Sequence, residues 1–354
     1  MPIDTGYSGD VSELAVQTPL VDAFGRTARD LRVSLTDRCN LRCTYCMPAE
    51  GMEWLPTDKV LSDAEVIRMV RIAVETLGIV KVRFTGGEPL LRKELEDIVA
   101  AASAMRTVDG GSPELMLTTN GLGLEHRAQA LKDAGLDRVN ISLDSLDPER
   151  YARLARRDRL HDVLAAIDAS HAVGLTPVKV NSVIMRGQNE QDILPLADYC
   201  LRRGHQLRYI EQMPLGPHDQ WDRSQMVTQT EILDTLREQY VLTPASTPRG
   251  AAPAELWEVA PDEQQAGGRI GVIASVTNPF CGSCDRTRLT ADGQMRNCLF
   301  SRTETDLRGP LRAGASDEEI ARLWLGGQFE KRAGHGIGEP TFQQPDRNMS
   351  AIGG

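Results

Sequence analysis

The chain lacks a surplus of positive charge. Its 40 lysines and arginines face 50 aspartates and glutamates, a formal net charge of −10. That balance argues against nucleic acid or a membrane surface as a partner, since both select basic surfaces. A locally basic pocket for a small anion stays compatible with it. The sequence also lacks any apolar run near the ~20 residues that span a bilayer. Its opening, "MPIDTGYSGDVSELAVQTPL", has neither a basic start nor a hydrophobic stretch. It reads as a flexible extension over residues 1–24, not as a signal peptide. Internal repeats are absent, and the one biased tract is the Pro/Ala-rich "TPASTPRGAAPAEL". The expected compartment is the cytoplasm, where structural disulfides are rare. The seven cysteines therefore need another explanation.

With 354 residues, 41% hydrophobic and 25% charged, the chain is globular and long enough for two domains. From Leu31 to about Ile210, β-rich runs alternate with helical patterns. The runs "DLRVSL", "IVKVRF", "ELMLTT", "DRVNISL", "PVKVNSVI" and "HQLRYIE" read as strands. The helix "LSDAEVIRMVRIAVETLG" opens on a capping box, Ser62 with Glu65, and closes at Gly78. Six strand–helix units imply a parallel sheet with helices outside, either flat and doubly wound or curved into a partial barrel. After Ile210 the rhythm breaks into loop, a helix at "TQTEILDTLREQ", and mixed strand and loop. The expected division is residues 25–225 and 226–354, with the last ~40 residues loosely ordered.

The strands themselves favour the curved option. A strand buried on both faces should be apolar throughout. Here Lys81 and Arg83 alternate with Val82 and Phe84, and Lys179 and Asn181 alternate with Val178 and Val180. Arg32, Ser34, Asn140, Ser142 and Arg208 also sit in strands. Alternate residues share a face, and isolated charges in an apolar interior are too costly to keep. The polar face must therefore meet water or an anionic ligand, as a barrel lumen open on one side allows.

The cysteines cluster in two triplets, 39/43/46 and 281/284/298. Cys200 stands alone in "LADYCLRRG", where a small core residue is expected. The first triplet, Cys39-x3-Cys43-x2-Cys46, lies in a loop straight after a strand, with no histidine near to complete a zinc site. An iron–sulfur cubane with three cysteine-bound irons and one open iron accounts for it better. The spacing resembles the radical S-adenosylmethionine (SAM) family. "TGGEP", after the next strand, resembles the segment that binds the methionine amino group there, which implies that Gly86, Gly87 and Glu88 line that end of SAM. Asn120, Ser142 and Arg208, at later strand ends, would add polar contacts. The open iron would chelate SAM, and reductive cleavage would yield a 5'-deoxyadenosyl radical. In the second triplet, Cys281-x2-Cys284-x13-Cys298, zinc remains a rival, with His335 the only later histidine. A second three-cysteine cubane fits better beside the first, and Arg286 and Arg288 within the motif suit phosphate.

Taken together, "RDLRVSLTDRCNLRCTYCMP", "VRFTGGEPLLR", "LTTNGLGL", "CGSCDRTRLTADG" and "MSAIGG" resemble the GTP 3',8-cyclase family of molybdenum cofactor biosynthesis, from about Gly25 to Gly354. The resemblance implies an α/β fold, an incomplete (β/α)6 TIM-like barrel with a C-terminal α+β domain closing the open side. It implies two [4Fe-4S] clusters, one binding SAM on Cys39, Cys43 and Cys46, and an auxiliary one on Cys281, Cys284 and Cys298 that takes the guanine of GTP. Arg32, Lys81, Arg83, Thr118, Lys179, Arg286 and Arg288 would contact GTP. Tyr45, Gly87, Ser142, Arg208 and Met213 would contact SAM. Gly353 and Gly354 would reach into the site and serve catalysis. The implied partners are GTP, SAM, a low-potential electron donor of flavodoxin or ferredoxin type and the downstream pyranopterin synthase, with room for a homodimer. Three rivals stand: a peptide-modifying radical SAM enzyme with an auxiliary cluster, an iron–sulfur electron carrier, and a zinc-stabilised scaffold. The carrier would saturate its irons with protein thiols, and the scaffold would bind no iron.

Overall fold

The computed structural model describes residues 18–217, 221–262 and 267–353. A short hairpin comes first, β1 (Leu20–Val21) against β2 (Thr27–Ala28). Six strands follow: β3 (Asp30–Ser34), β4 (Lys81–Thr85), β5 (Glu114–Thr119), β6 (Arg138–Ser142), β7 (Lys179–Ile184) and β8 (Gln206–Glu211). They lie side by side in that order, all parallel. Between them run α1 (Asp63–Arg71), α2 (Leu95–Ser103), α3 (Ala128–Asp133), α4 (Pro148–Ala155), α5 (Leu160–Ala172) and α6 (Ile193–Arg202). Later come α7 (Gln229–Arg237), β9 (Leu242–Pro244), β10 (Glu255–Val259), β11 (Gly268–Ile273), β12 (Arg286–Leu289), β13 (Gln294–Arg296), β14 (Thr305–Asp306), α8 (Arg308–Arg312), α9 (Asp317–Phe329) and α10 (Met349–Ile352).

Local side-chain chemistry sets the starts of α1, α4, α7 and α9. Ser62 accepts from Glu65 N–H at 3.3 Å, and Glu65 Oε2 accepts from Ser62 N–H at 2.7 Å. The same box opens α7 with Thr228 and Glu231, and α9 with Ser316 and Glu319. α4 is a helix that hydrophobic periodicity did not single out. Its signal is Asp147-Pro148, a cap and a proline at the first helical position, and Asp147 accepts from Arg150 N–H at 2.8 Å.

The sheet is an incomplete barrel. β12 adds to β3 and β11 adds to β8, both parallel, so the C-terminal segment extends both edges of the six-stranded core. The outward residues Leu31, Val33, Val82, Phe84, Val139, Ile141, Val180 and Leu207 are fully buried under the helices. Ile232, Leu236, Ile270, Val272, Leu289 and Trp324 join this same core, so residues beyond 225 share it with those before. The division at 225/226 is one of sequence rhythm; sheet and core run across it. A smaller cluster, Leu215, Met226, Val276, Phe300, Ile337 and Ile352, gathers the chain's end around Cys298.

Two expectations of looseness need correction. Residues 18–24 of the anticipated 1–24 extension belong to the fold, with Leu20 completely buried; residues 1–17 lie outside the described residues. The last ~40 residues include α9, whose Trp324 is buried and donates to Thr287 Oγ1 at 3.0 Å. Cys200 is a core residue, as its solitary position suggests. Among the described residues no helix is long and apolar enough to cross a membrane.

Candidate active site

Parallel strands put all their C-terminal ends on one rim, where loops converge. The first cysteine loop leaves β3 there. Its backbone docks on α4: Arg42 N–H donates to Ala155 O at 3.1 Å and Thr44 N–H to Leu154 O at 3.0 Å. These are carbonyls that a helix C-terminus leaves without internal partners. The Gly-Gly-Glu turn after β4 clamps the base of the same loop. Gly87 N–H donates to Thr36 O at 2.7 Å and Glu88 N–H to Arg38 O at 2.8 Å. A Cβ on Gly87 would lie 2.6 Å from the Arg38 carbonyl carbon and nearer still to the Asp37 and Arg38 oxygens. Only glycine permits that approach.

Glu88 turns away from the cavity. Its carboxyl is fully buried and accepts from Leu90 N–H at 2.9 Å, Thr119 Oγ1 at 2.7 Å and Asn120 N–H at 2.7 Å. Burial pushes it up to about 7 against those bonds. It thereby holds Asn120, whose amide reaches Asn40 Oδ1 at 2.7 Å and Cys39 Sγ at 3.8 Å. Asp144 belongs to no motif that the sequence displays. It accepts from Tyr45 Oη at 2.8 Å and Val183 N–H at 2.9 Å, and burial raises it to about 6. A signal for it exists all the same, because Asp144 continues the Asn140, Ser142 alternation.

The second triplet sits at the opposite end of the same strands. Asp285 O accepts from Arg29 and Asp30 N–H, at 2.8 and 3.0 Å, which fixes Cys284 beside the start of β3. β13 runs antiparallel to β12 and returns Cys298 to that end. β3 advances four residues from Asp30 to Ser34, about 13 Å at ~3.3 Å per residue. The two triplets thus face one lumen from its two ends.

All six of these cysteines are free, partly buried and lining the same cavity, of about 300 Å³. Among the described residues no group of three His, Cys, Asp or Glu is disposed to share a single metal ion. His335 cannot complete a zinc site as it stands. Its Nδ1 accepts from Ile337 N–H at 3.1 Å, so Nε2 carries the proton and donates to Ser275 O at 3.0 Å. Three spread sulfurs suit a cubane, whose separate irons each take one thiolate. Burial, with Cys39 and Asp144 nearby, pushes the Cys46 thiol up, and burial with Cys46, Asp144 and Cys39 does the same to Cys43. Their ionisation must then accompany metal arrival. Cys284 differs: burial opposes its ionisation, but Lys331 and Arg286 outweigh it and hold the thiol below its ordinary value.

Between the ends lies a row of cations. Strand register sets Arg288 opposite Arg32, and Arg32 opposite Arg83. Neighbouring strands are ~4.8 Å apart, so three guanidinium-bearing residues stand abreast. Arg208 lines the same cavity, with burial, Arg83 and Arg138 lowering it to about 9. Burial and Arg288 push Arg32 well below the ordinary arginine value. The Nε atoms of Arg32, Arg83, Arg208 and Arg286 are buried without partners. Asp30 answers them: burial opposes its charge, yet Arg32, Arg83, Arg286 and Arg288 keep its carboxyl below its usual range. Like charges directly across strands repel, so this lumen is built for an anion.

Of the anticipated contacts, Arg32, Arg83, Thr118, Arg286 and Arg288, and Tyr45, Gly86, Gly87, Asn120, Ser142, Arg208 and Met213, line the cavity. Lys81 does not; it is exposed at the start of β4. Lys179 does not line the cavity either; it is buried on the strand face that carries Asn181, and burial, with Arg208, Arg138 and Arg83, lowers it to about 6. Gly353, at φ +84°, is buried against Ser34 and Thr85, and its carbonyl accepts from Arg288 Nη1. The tail is held by Arg347, which donates to both Asp292 oxygens at 2.9 Å. Gly354 lies outside the described residues.

Comparison with known proteins bears on this arrangement. Residues 33–200 match the Radical SAM superfamily, and residues 205–337 match Molybdenum Cofactor Synthesis C. A Corynebacterium glutamicum protein named GTP 3',8-cyclase is 66% identical over 95% of this chain and 89% of its own. A protein of that name from Mycolicibacterium smegmatis is 58% identical over 98% of this chain and 95% of its own. Among solved structures, native anSMEcpe with bound AdoMet aligns with a TM-score of 0.55 at 15% identity, covering 87% of this chain and 82% of that one. Streptococcus suis SuiB bound to S-adenosylmethionine aligns with a TM-score of 0.55 at 14% identity, over 93% and 76%. At such identities these structures speak to the fold alone.

Proposed function

This chain belongs to the GTP 3',8-cyclase family of radical SAM enzymes, and from that premise we propose which of its residues hold each reactant. It converts GTP to (8S)-3',8-cyclo-7,8-dihydroguanosine 5'-triphosphate in molybdenum cofactor biosynthesis. Cys39, Cys43 and Cys46 would hold the SAM cluster, which with SAM would supply the radical chemistry that takes a hydrogen from the GTP ribose. The protein's own part is to bind, orient and exclude water. Gly86, Gly87, Asn120, Ser142 and Met213 line the SAM end, and Asp144 orients Tyr45 there. Cys281, Cys284 and Cys298 would hold an auxiliary cluster at the far end, the end at which the guanine of GTP would bind.

The observation that carries this reading is the in-register row Arg288–Arg32–Arg83 between two cysteine triplets. Guanidinium groups suit phosphate oxygens, and a nucleoside triphosphate in this lumen meets cations along its length. The deciding experiment is anaerobic reconstitution, which is expected to give about eight irons per chain, two cubanes. About four irons with one zinc would remove the auxiliary cluster from the reading. Six cysteines kept for metal and not paired as disulfides would fit a reducing compartment, the cytoplasm. We extend the reading to a low-potential flavodoxin- or ferredoxin-type donor, to pyranopterin synthase as the consumer of product, and to a homodimer.

Lys179 gives the reading a pH signature. Its ammonium is depressed to about 6, so near pH 7.5 it is neutral until phosphate charge arrives. Binding GTP then draws in a proton. Affinity should weaken as pH rises from about 6.5 to 8.5, by up to tenfold per unit for one proton. Calorimetry in buffers of differing ionisation enthalpy should register that uptake, and Lys179→Met should abolish it.

A further inference from the structure

Lys331 is far from every cysteine of the first triplet and well beyond those of the second in sequence, yet it packs against the second triplet with only 3% of its surface exposed. It follows α9, and its ammonium donates to Arg286 O at 2.8 Å, Cys284 O at 3.3 Å and Cys284 Sγ at 3.3 Å. Arg286 Nη1 approaches the same sulfur at 3.5 Å, and its guanidinium lies 4.9 Å from the Phe280 ring centre. Arg288 is close enough to interact with Cys284 and Cys298. The acids facing this group are Asp285, 3.9 Å from Arg286, and Asp30. Three cations against two carboxylates leave the site net positive.

The first triplet has the opposite surroundings. Cys39 Sγ accepts from neutral donors, Leu41 N–H at 3.5 Å and the Asn120 amide at 3.8 Å. The guanidinium nearest it, Arg42, is committed to the carbonyls of Cys39 and Leu41 at 2.7 and 2.8 Å. Buried Asp144 adds negative character beside Cys43.

Reducing a cluster adds one negative charge. A cation hydrogen-bonded to a ligand sulfur in a poorly solvated site favours the reduced form and raises the potential. We propose that Lys331, together with Arg286, is a positioning residue that sets the auxiliary cluster at a higher midpoint potential than the SAM cluster. This rests on the two-cluster reading above. Lys331 acts through Cys284, from the side of that ligand turned toward α9.

The test is an EPR-monitored redox titration of the reconstituted holoenzyme, wild type, Lys331→Gln and Lys331→Met. Gln removes the charge while keeping a donor for the two carbonyls, whereas Met removes both. A chain with Cys39, Cys43 and Cys46 all changed to alanine assigns the auxiliary signal. In the wild type the auxiliary midpoint should lie above the SAM-cluster midpoint. Both variants should lower it by at least tenfold in the reduction constant, about 59 mV for one electron, and leave the SAM-cluster midpoint in place. Eight irons with an unmoved auxiliary midpoint would overturn the proposal, as would equal shifts in both clusters or loss of the auxiliary iron in Lys331→Gln. Wild-type protein with about four irons would instead remove the two-cluster reading, before any variant is compared.

Discussion

Gly87→Ala should empty the first cysteine triplet. The added methyl meets backbone on two sides, at Asp37 and Arg38, so no rotamer change relieves it. Either the loop carrying Cys39, Cys43 and Cys46 moves, or the Gly-Gly-Glu turn gives up its bonds to Thr36 and Arg38. Both outcomes scatter three sulfurs that must converge on one cluster. Reconstituted iron should fall by about half, to roughly four per chain, with SAM cleavage lost by a thousandfold or more, about 4 kcal/mol. A matched control lies in the other triplet. Gly282, between Cys281 and Cys284, has open space where a Cβ would stand, with nothing within 4 Å. Gly282→Ala should keep full iron content. Full iron and normal SAM cleavage in Gly87→Ala would show that the turn does not govern the loop.

Arg32→Met should move stability and substrate affinity in opposite directions. Arg32 stands between Arg288 and Arg83 in the cross-strand row. Its Nε is buried without a partner, and burial and Arg288 are the main forces acting against its charge. In protein without GTP, methionine relieves that repulsion and desolvation, as replacing buried charge with apolar groups often does. The thermal midpoint should rise by a few degrees, the equivalent of ~1 kcal/mol. GTP, if it binds as proposed, loses the central cation of the arginine row. Removing one partner of a buried charge pair costs ~2–5 kcal/mol, so Kd should rise about a hundredfold. A variant that loses stability and keeps its affinity would mean that Arg32 supports the fold and does not face the nucleotide.

Sequence patterns reach different distances into this fold. Ser62 with Glu65 and Gly78 are short-range patterns, and each does in the fold what its pattern implies. The alternation in β4 and β7 foretold a polar lumen, and Arg83 and Asn181 line it. The same alternation overreached at Lys81, because parity gives the face of a strand but not the depth along it. Glu88 shows a different limit. Its neighbours in sequence suggest a ligand contact, but its carboxyl is spent on Leu90, Thr119 and Asn120. Asp144 was readable by parity, and α4 by its Asp-Pro start. Lys331 was not readable, since 47 residues separate it from Cys284.

What the amino-acid sequence determined alone is the chemistry on offer: six thiols in two trios, cations on alternate strand positions, glycines at the turn beside the first trio. Those are local facts, governed by short spacings and by the geometry of strand and turn. What only the tertiary structure decided is where they meet. Parallel pairing of β12 with β3 carries the second trio to the opposite end of the lumen from the first, lines up three arginines, and brings Lys331 onto Cys284. Register and crossover are set by burying the apolar faces of the strands under the helices, a property of the whole core that no short stretch of sequence contains.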